Sequence, residues 1–289
     1  MREYKYTAPA SFEELFILLK DHGDEETRVI AGGTDFIPKL NEELDSVPAG
    51  EKKPLHMIYP GKLGLDQIEV KGQTVVIGAL CTLNHVKNSA VIKEKFPVLV
   101  DTIGEIAGMA VRNTATLGGN IMNASPAADS VPTLIALDAK FVLKGAEGER
   151  EIDAKDFFTG PGETKAGKGE ILTAVKIEAA GGSAAFIKLG RRKAETLSIA
   201  NAAVNLVISD GICKKANVAV GSLGPTVIKC RKVEEALSGK KLSAEVIAEA
   251  ARQVTEEISP IDDIRGSIWY RKKITPVLVE RALLKASDL

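Results

Sequence analysis

The spacing of apolar positions changes several times along this chain, and the changes divide it into elements. A short β-like segment over residues 4–7 precedes Phe12, Leu15, Phe16 and Leu19, which fall on one face of a helix. Ser11 is placed to cap that helix, with Glu14 three residues on as its reciprocal partner. Residues 27–30 (TRVI) read as a strand running into Ala31-Gly32-Gly33-Thr34-Asp35, and residues 36–44 as a helix with Pro38 in its first turn. Residues 45–60, punctuated by Pro48, Gly50, Pro54 and Pro60, read as a loop. Strands are expected over 67–70 and 74–79, and short helices over 82–88 and 90–95. Pro97 opens a longer helix to about residue 109, with Val98, Leu99, Ile103, Ile106 and Ala107 on or near its buried face. A helix over 130–137 and strands over 140–144 and 171–178 complete the front of the chain.

Ala179-Ala180-Gly181-Gly182-Ser183 is the best linker, and the character of the chain changes beyond it. Residues 184–190 read as a strand, and residues 201–209 and 213–221 as a hairpin closed by Asp210-Gly211. Three helices follow over 231–237, 243–258 and 267–286, with Ser243 as an N-cap and Pro260 interrupting before the last. The pattern predicts an α+β chain with a larger front domain and a smaller sheet-plus-helices domain behind it.

The stretch that organises the front domain is residues 114–138, TATLGGNIMNASPAADSVPTLIALD. A run so rich in Gly, Ala, Ser, Thr and Asn buries little side chain, so its value lies in a backbone that something can approach closely. Ala31-Gly32-Gly33-Thr34-Asp35 is a second stretch of this kind, between a strand and a helix start. Backbone amides converge at such a turn and the helix dipole adds to them, which suits phosphate. An ordinary tight turn would use the same residues, so neither stretch is specific alone. Together they read as two walls of one anionic-cofactor site.

Composition narrows the chemistry. The 289-residue chain has a net charge of -1 and 4% aromatic residues, which argues against a nucleic-acid partner. Cys81, Cys213 and Cys230 are far apart, without CxxC or ligand spacing, so no disulfide, zinc or iron–sulfur site is expected. The N-terminus lacks an apolar signal core, and no apolar run approaches the ~20 residues that span a bilayer. A reducing cytoplasm is the expected location. His22, His56 and His85 are scattered without acidic or serine partners at motif spacing, which favours surface or loop roles over catalysis.

The two Gly-rich walls, with Arg112-Asn113, Thr116-Leu117-Gly118-Gly119-Asn120 and Ala124-Ser125-Pro126-Ala127-Ala128-Asp129, resemble the FAD-binding subunit of the molybdenum hydroxylases: the xanthine dehydrogenase, aldehyde oxidase and carbon monoxide dehydrogenase relatives. Phe157-Phe158 with Gly160-Pro161-Gly162, Gly169 to Thr173 (GEILT), Lys188-Leu189-Gly190-Arg191-Arg192, Pro260 to Ser267 (PIDDIRGS) and Tyr270-Arg271 extend the resemblance over the whole chain in order. It implies an FAD-binding domain of the vanillyl-alcohol oxidase and MurB type over 1–178, in subdomains of about 1–54 and 55–178. A C-terminal domain of antiparallel sheet plus helical bundle would span 184–289. The resemblance places the FAD pyrophosphate on Ala31, Gly32, Gly33, Thr34 and Asp35. Thr116, Gly118, Gly119, Asn120 and Ser125 would form the second wall, Asp129 would accept a hydrogen bond from the AMP end or cap the following helix, and Ile106 and Leu172 would line the flavin or simply pack in the core. A lysine common near the flavin in this family has no counterpart in residues 196–200, and residues 55–63 also depart from the usual pattern. No catalytic residue is required, because the flavin itself carries the electrons. The implied partners are a molybdopterin-binding large subunit and a 2Fe–2S small subunit, with NAD as an electron acceptor. A free-standing FAD oxidoreductase and a flavin-free scaffold are the alternatives.

Overall fold

The computed structural model describes residues 3–20, 26–46 and 54–289; His22, Pro48 and Gly50 lie outside them. Strands β1 (Tyr4–Thr7), β2 (Glu26–Val29) and β3 (Leu55–Ile58) form a small parallel sheet in the order β1-β3-β2. Helix α1 (Phe12–Lys20) buries Leu15, Phe16 and Leu19 in a cluster with Ile58 and Ile171. Its start is capped as the sequence indicates: Ser11 Oγ accepts the Glu14 amide at 3.2 Å, and the Glu14 carboxylate reaches back to the amide of Ala10 at 2.7 Å. Helix α2 (Phe36–Ser46) leaves the AGGTD turn.

The central strand corrects the sequence reading. Residues 55–58 were expected in a loop, yet β3 pairs with both neighbours and is the middle of the sheet. The four residues of β3 are too few to show periodicity, and a parallel strand buried on both faces needs none. The first sheet therefore extends to Ile58. His56, expected at a surface or loop, is buried on this strand, with Nε2 2.9 Å from Thr7 Oγ1.

Strands β4 (Ile68–Lys71), β5 (Thr74–Gly78), β6 (Lys140–Gly145) and β7 (Gly148–Asp153), the short pair β8 (Phe158–Gly160) and β9 (Glu163–Thr164), and β10 (Ile171–Glu178) build the rest of the front domain. Five of them form an antiparallel sheet in the order β4-β5-β10-β6-β7. Against it lie α3 (Leu83–Asn88), α4 (Ala90–Lys95), α5 (Pro97–Gly104), α6 (Met109–Arg112), α7 (Leu117–Met122) and α8 (Ser130–Ala136), around a core that includes Ile77, Leu99, Leu117, Phe141 and Phe157. Helix α5 ends five residues earlier than its apolar pattern suggests. Ala107 has φ 45°, and the Arg112 guanidinium holds the carbonyls of Gly104, Ile106 and Ala107 at 3.3, 2.7 and 2.6 Å. A side chain several residues downstream thus bends the backbone away from the helix.

Behind the linker, β11 (Ser183–Gly190), β12 (Ser198–Ser209), β13 (Ile212–Gly221) and β14 (Ile228–Lys229) form an antiparallel sheet covered by α9 (Arg231–Leu237), α10 (Ala244–Arg252) and α11 (Ile268–Ser287). Asp210 and Gly211 both have positive φ, 54° and 73°, as the tightest hairpin turn requires. Ser243 caps α10 through the Val246 amide. Arg271 on α11 is 1% exposed and binds the carbonyls of Ile199 and Ser222 and the carboxylate of Asp263, at 2.9, 2.7 and 2.6 Å.

Truncating a buried ion-pair partner leaves its acceptors unpaired, so Arg271→Met should cost roughly 3 kcal/mol in urea denaturation. Burial opposes the charge on Asp263, but hydrogen bonds from Arg265 and the charges of Arg265 and Arg271 outweigh it and lower its pKa well below the usual range. A depressed carboxylate stabilises the fold above its unfolded pKa of about 4, and that stability is lost as pH falls through the folded value. Asp263→Asn should therefore reduce stability at neutral pH and flatten its decline below about pH 4. An unchanged pH profile would contradict the pairing.

Candidate cofactor-binding site

The two Gly-rich stretches, about eighty residues apart in sequence, touch. A Cβ built on Gly32 would sit 2.0 Å from the carbonyl oxygen of Thr114, and one on Gly119 would lie 3.8 Å from Cβ of Ala31. Lys39, one turn into α2, reaches Asn123 Oδ1 beyond the end of α7 at 2.8 Å and also pairs with Asp35 at 2.6 Å. The walls are thus joined by backbone contact and by a side-chain bridge.

The first wall offers hydrogen-bond donors. Among the described residues, the amides of Gly32, Gly33, Thr34 and Asp35 have no acceptor within the chain. Gly33 holds φ 68°, which turns the backbone between β2 and α2. Thr34 and Asp35 are exposed. The 11-residue helix α2 begins directly after them, so its dipole reinforces the free amides.

The second wall is more internally committed. Thr116 caps α7 by accepting the Gly119 amide at 3.0 Å. Gly118 is required for packing: a Cβ there would lie 2.6 Å from the carbonyl of Ala79, which its amide meets at 2.9 Å. Asn120 Oδ1 accepts the Ser130 hydroxyl at 2.5 Å. Ser125 Oγ accepts the Ala127 amide at 3.2 Å, leaving its own proton available. Gly119 is exposed beside Ala31 and is where the second wall faces the first.

Asp129 sits in the seam between the domains. It is 6% exposed, and its carboxylate takes three donors from the C-terminal domain: Lys188 at 2.7 Å, Ser198 at 2.5 Å and Asn201 at 2.8 Å. It makes no side-chain cap to α8. A carboxylate has about four lone-pair sites, so one acceptor position remains. Lys188 also donates to the carbonyl of Glu105 at 2.8 Å and thereby holds the turn that carries Ile106. Ile106 is half-buried at the edge of the front core, and Leu172 is 6% exposed within it.

Lys188 and Arg112 are the residues the sequence quoted without assigning a role. Both act on the turn of residues 104–108 from outside it, and no local spacing signals such contacts. Residues 196–200 contain no lysine, and Lys188 reaches the seam from the neighbouring strand β11. Ser198 and Asn201 had no signal beyond being polar positions on a buried strand. His85 is exposed on α3.

Comparison with known proteins now decides the family. Residues 2–178 match the family described as FAD binding domain in molybdopterin dehydrogenase, and residues 185–286 match the CO dehydrogenase flavoprotein C-terminal domain. This chain belongs to that family of molybdenum hydroxylase flavoproteins. It is 31% identical to the glyceraldehyde dehydrogenase medium chain of Sulfolobus acidocaldarius, with 97% of each chain covered. It is 31% identical to the carbon monoxide dehydrogenase medium chain of Afipia carboxidovorans, over 98% of this chain and 96% of that one. The structure of a Cu,Mo-CO dehydrogenase superposes with a TM-score of 0.91 at 30% identity, covering 100% of this chain and 99% of that chain. The chain is a flavoprotein oxidoreductase subunit, and FAD is its cofactor. The residues present fit that group, because a row of unpaired amides at a helix start is what a dinucleotide pyrophosphate requires.

Gly32→Ala would drive a methyl group into the Thr114 carbonyl and separate the walls. The purified variant should retain its circular dichroism but carry about tenfold less FAD or lower, each tenfold being ~1.4 kcal/mol of binding. Undiminished FAD content would show that wall contact is irrelevant to the cofactor.

Proposed function

We propose that this chain is the electron-transfer subunit of a molybdenum-dependent hydroxylase. It takes electrons from iron–sulfur clusters in a partner chain and delivers them to NAD or another acceptor. Bound FAD supplies the redox chemistry. Ala31, Gly32, Gly33, Thr34 and Asp35 hold its pyrophosphate through their amides. Gly119, Asn120 and Ser125 close the second side, with Thr116 and Gly118 fixing the backbone that presents them. Asp129 keeps one acceptor position for the AMP end. Ile106 and Leu172 exclude water from the flavin. No side chain serves as nucleophile or general base.

The observation that carries the subunit reading is an apolar surface beside the turn of residues 104–108. Met109, Leu197, Ile261, Ile264 and Trp269 are each more than half exposed, with Ile264 at 91%. They come from three segments that touch: the Glu195 side chain lies against Gly108, and Arg191 donates to the carbonyl of Ile264 at 3.0 Å. Scattered exposed apolar residues are ordinary, but a joined group bordered by Arg191, Arg265 and Lys273 favours a protein partner. The partners we assign to it are a 2Fe–2S small subunit and a molybdopterin-binding large subunit, in keeping with the medium-chain names of the relatives.

Co-expression of this chain with the iron–sulfur and molybdopterin chains of its own organism tests the assembly. Ile264→Asp with Trp269→Asp should weaken the complex by about thirtyfold, the equivalent of one buried anchor, while the chain keeps its FAD. Complex formation unchanged by both substitutions would contradict this docking surface. Anaerobic NADH should bleach the visible flavin band of the isolated chain; an unbleached band would remove NAD as the acceptor and leave the flavoprotein assignment intact.

A further inference from the structure

A cleft of about 880 Å3 lies between the two domains, and none of the residues assigned to FAD lines it. One side is the five-stranded sheet with the α4–α5 corner, the other is β12 and β13, and linker residues 179–182 complete the lining. Its volume is in the range of small-ligand sites, roughly 300–1,000 Å3.

The cleft is charged in an unbalanced way. Lys71, Lys95, Lys140, Lys176 and Lys215 line it, against the carboxylates of Asp138, Glu151 and Glu178, an excess of two positive charges (five minus three). Lys176 is paired in register directly opposite Lys140, an arrangement of like charges that opposes sheet formation. Glu151 serves both lysines, at 2.7 Å from Lys176 and 3.8 Å from Lys140. Asp138 pairs with Lys215 at 2.6 Å, while Lys229, outside the lining and 3.9 Å from Asp138, has its nearer partner in Glu234 at 3.1 Å. Lys95, half-buried at the end of α4, has no acidic partner among the described residues. Glu151 is thus divided between two ammonium groups, Lys71 is held by Glu69 at 2.8 Å, and Lys95 stands alone among the described residues. Between the charges lie Phe96, Val98, Leu137 and Val207, an apolar strip that does not compete for an anion.

We propose that this interdomain cleft binds a small multivalent oxyanion. Lys95, Lys140 and Lys176 hold it from the front domain and Lys215 from the C-terminal domain. An anion there relieves the Lys140–Lys176 repulsion and ties the two domains together, so binding raises the thermal unfolding temperature. Phosphoryl and carboxylate groups share the required chemistry, and the two are separated by the choice of probe.

The test is isothermal titration of the full-length chain at low ionic strength with inorganic pyrophosphate and, separately, citrate. At least one should bind, and the tighter probe identifies the phosphoryl or the carboxylate class. Lys95→Ala with Lys176→Ala should weaken binding by about tenfold, with added salt weakening it further, as attraction between partly exposed charges is screened. Saturation with FAD should leave the affinity unchanged. Loss of anion binding on adding FAD would put the anion on the flavin walls and overturn the proposal while leaving the FAD site intact. Absence of binding by both probes, or binding indifferent to the lysine substitutions, would also overturn it.

Discussion

Gly32 and the backbone of Thr114 occupy space that leaves no room for a side chain between them, and the cofactor site we propose depends on that contact. The first wall comes from a parallel three-stranded sheet, the second from the helices covering an antiparallel one. Neither wall encloses anything by itself. Their approach brings a row of amides without acceptors among the described residues beside an exposed Gly119, the two sides of the proposed site. The Lys39–Asn123 bridge and the packing of Gly118 on Ala79 hold the same geometry from behind. A site made of backbone is rigid without committing side chains to the ligand, which suits a protein whose task is to position an electron carrier.

The seam to the C-terminal domain is fixed by a buried ion pair. Asp129 and Lys188 have side chains only 7% and 5% exposed. Removing such charges from water costs several kcal/mol apiece, and their mutual attraction offsets it only where the remaining hydrogen-bonding capacity is used. Here Ser198 and Asn201 serve the carboxylate and the carbonyl of Glu105 serves the ammonium. The pair therefore sets orientation more than stability, holding the C-terminal domain against the turn that carries Ile106. The interdomain cleft is lined by none of the residues assigned to FAD, so it lends no support to the free-standing oxidoreductase.

What could be read from the sequence was local. The capping of α1 and α10 and the Asp210-Gly211 hairpin each have a signal within a few residues, and each stands where it was expected. The departures have a common cause in contacts between distant residues. Helix α5 stops at Gly104 because Arg112 captures its following carbonyls. Strand β3 exists because β1 and β2 flank it. Asp129 accepts from residues 59 to 72 positions away rather than capping its own helix. The two Gly-rich stretches were legible as a pair from their residues, and the resemblance made FAD the expected ligand, while the atomic reason for their meeting, a glycine against a carbonyl, needed the fold.

The central claim is that the two walls form an FAD site in this chain itself. The most direct measurement is the visible absorption spectrum of the purified protein, with chromatographic identification and quantitation of whatever heat releases. The account predicts a yellow protein that releases FAD near one per chain. A folded, colourless protein that takes up no added FAD would contradict it.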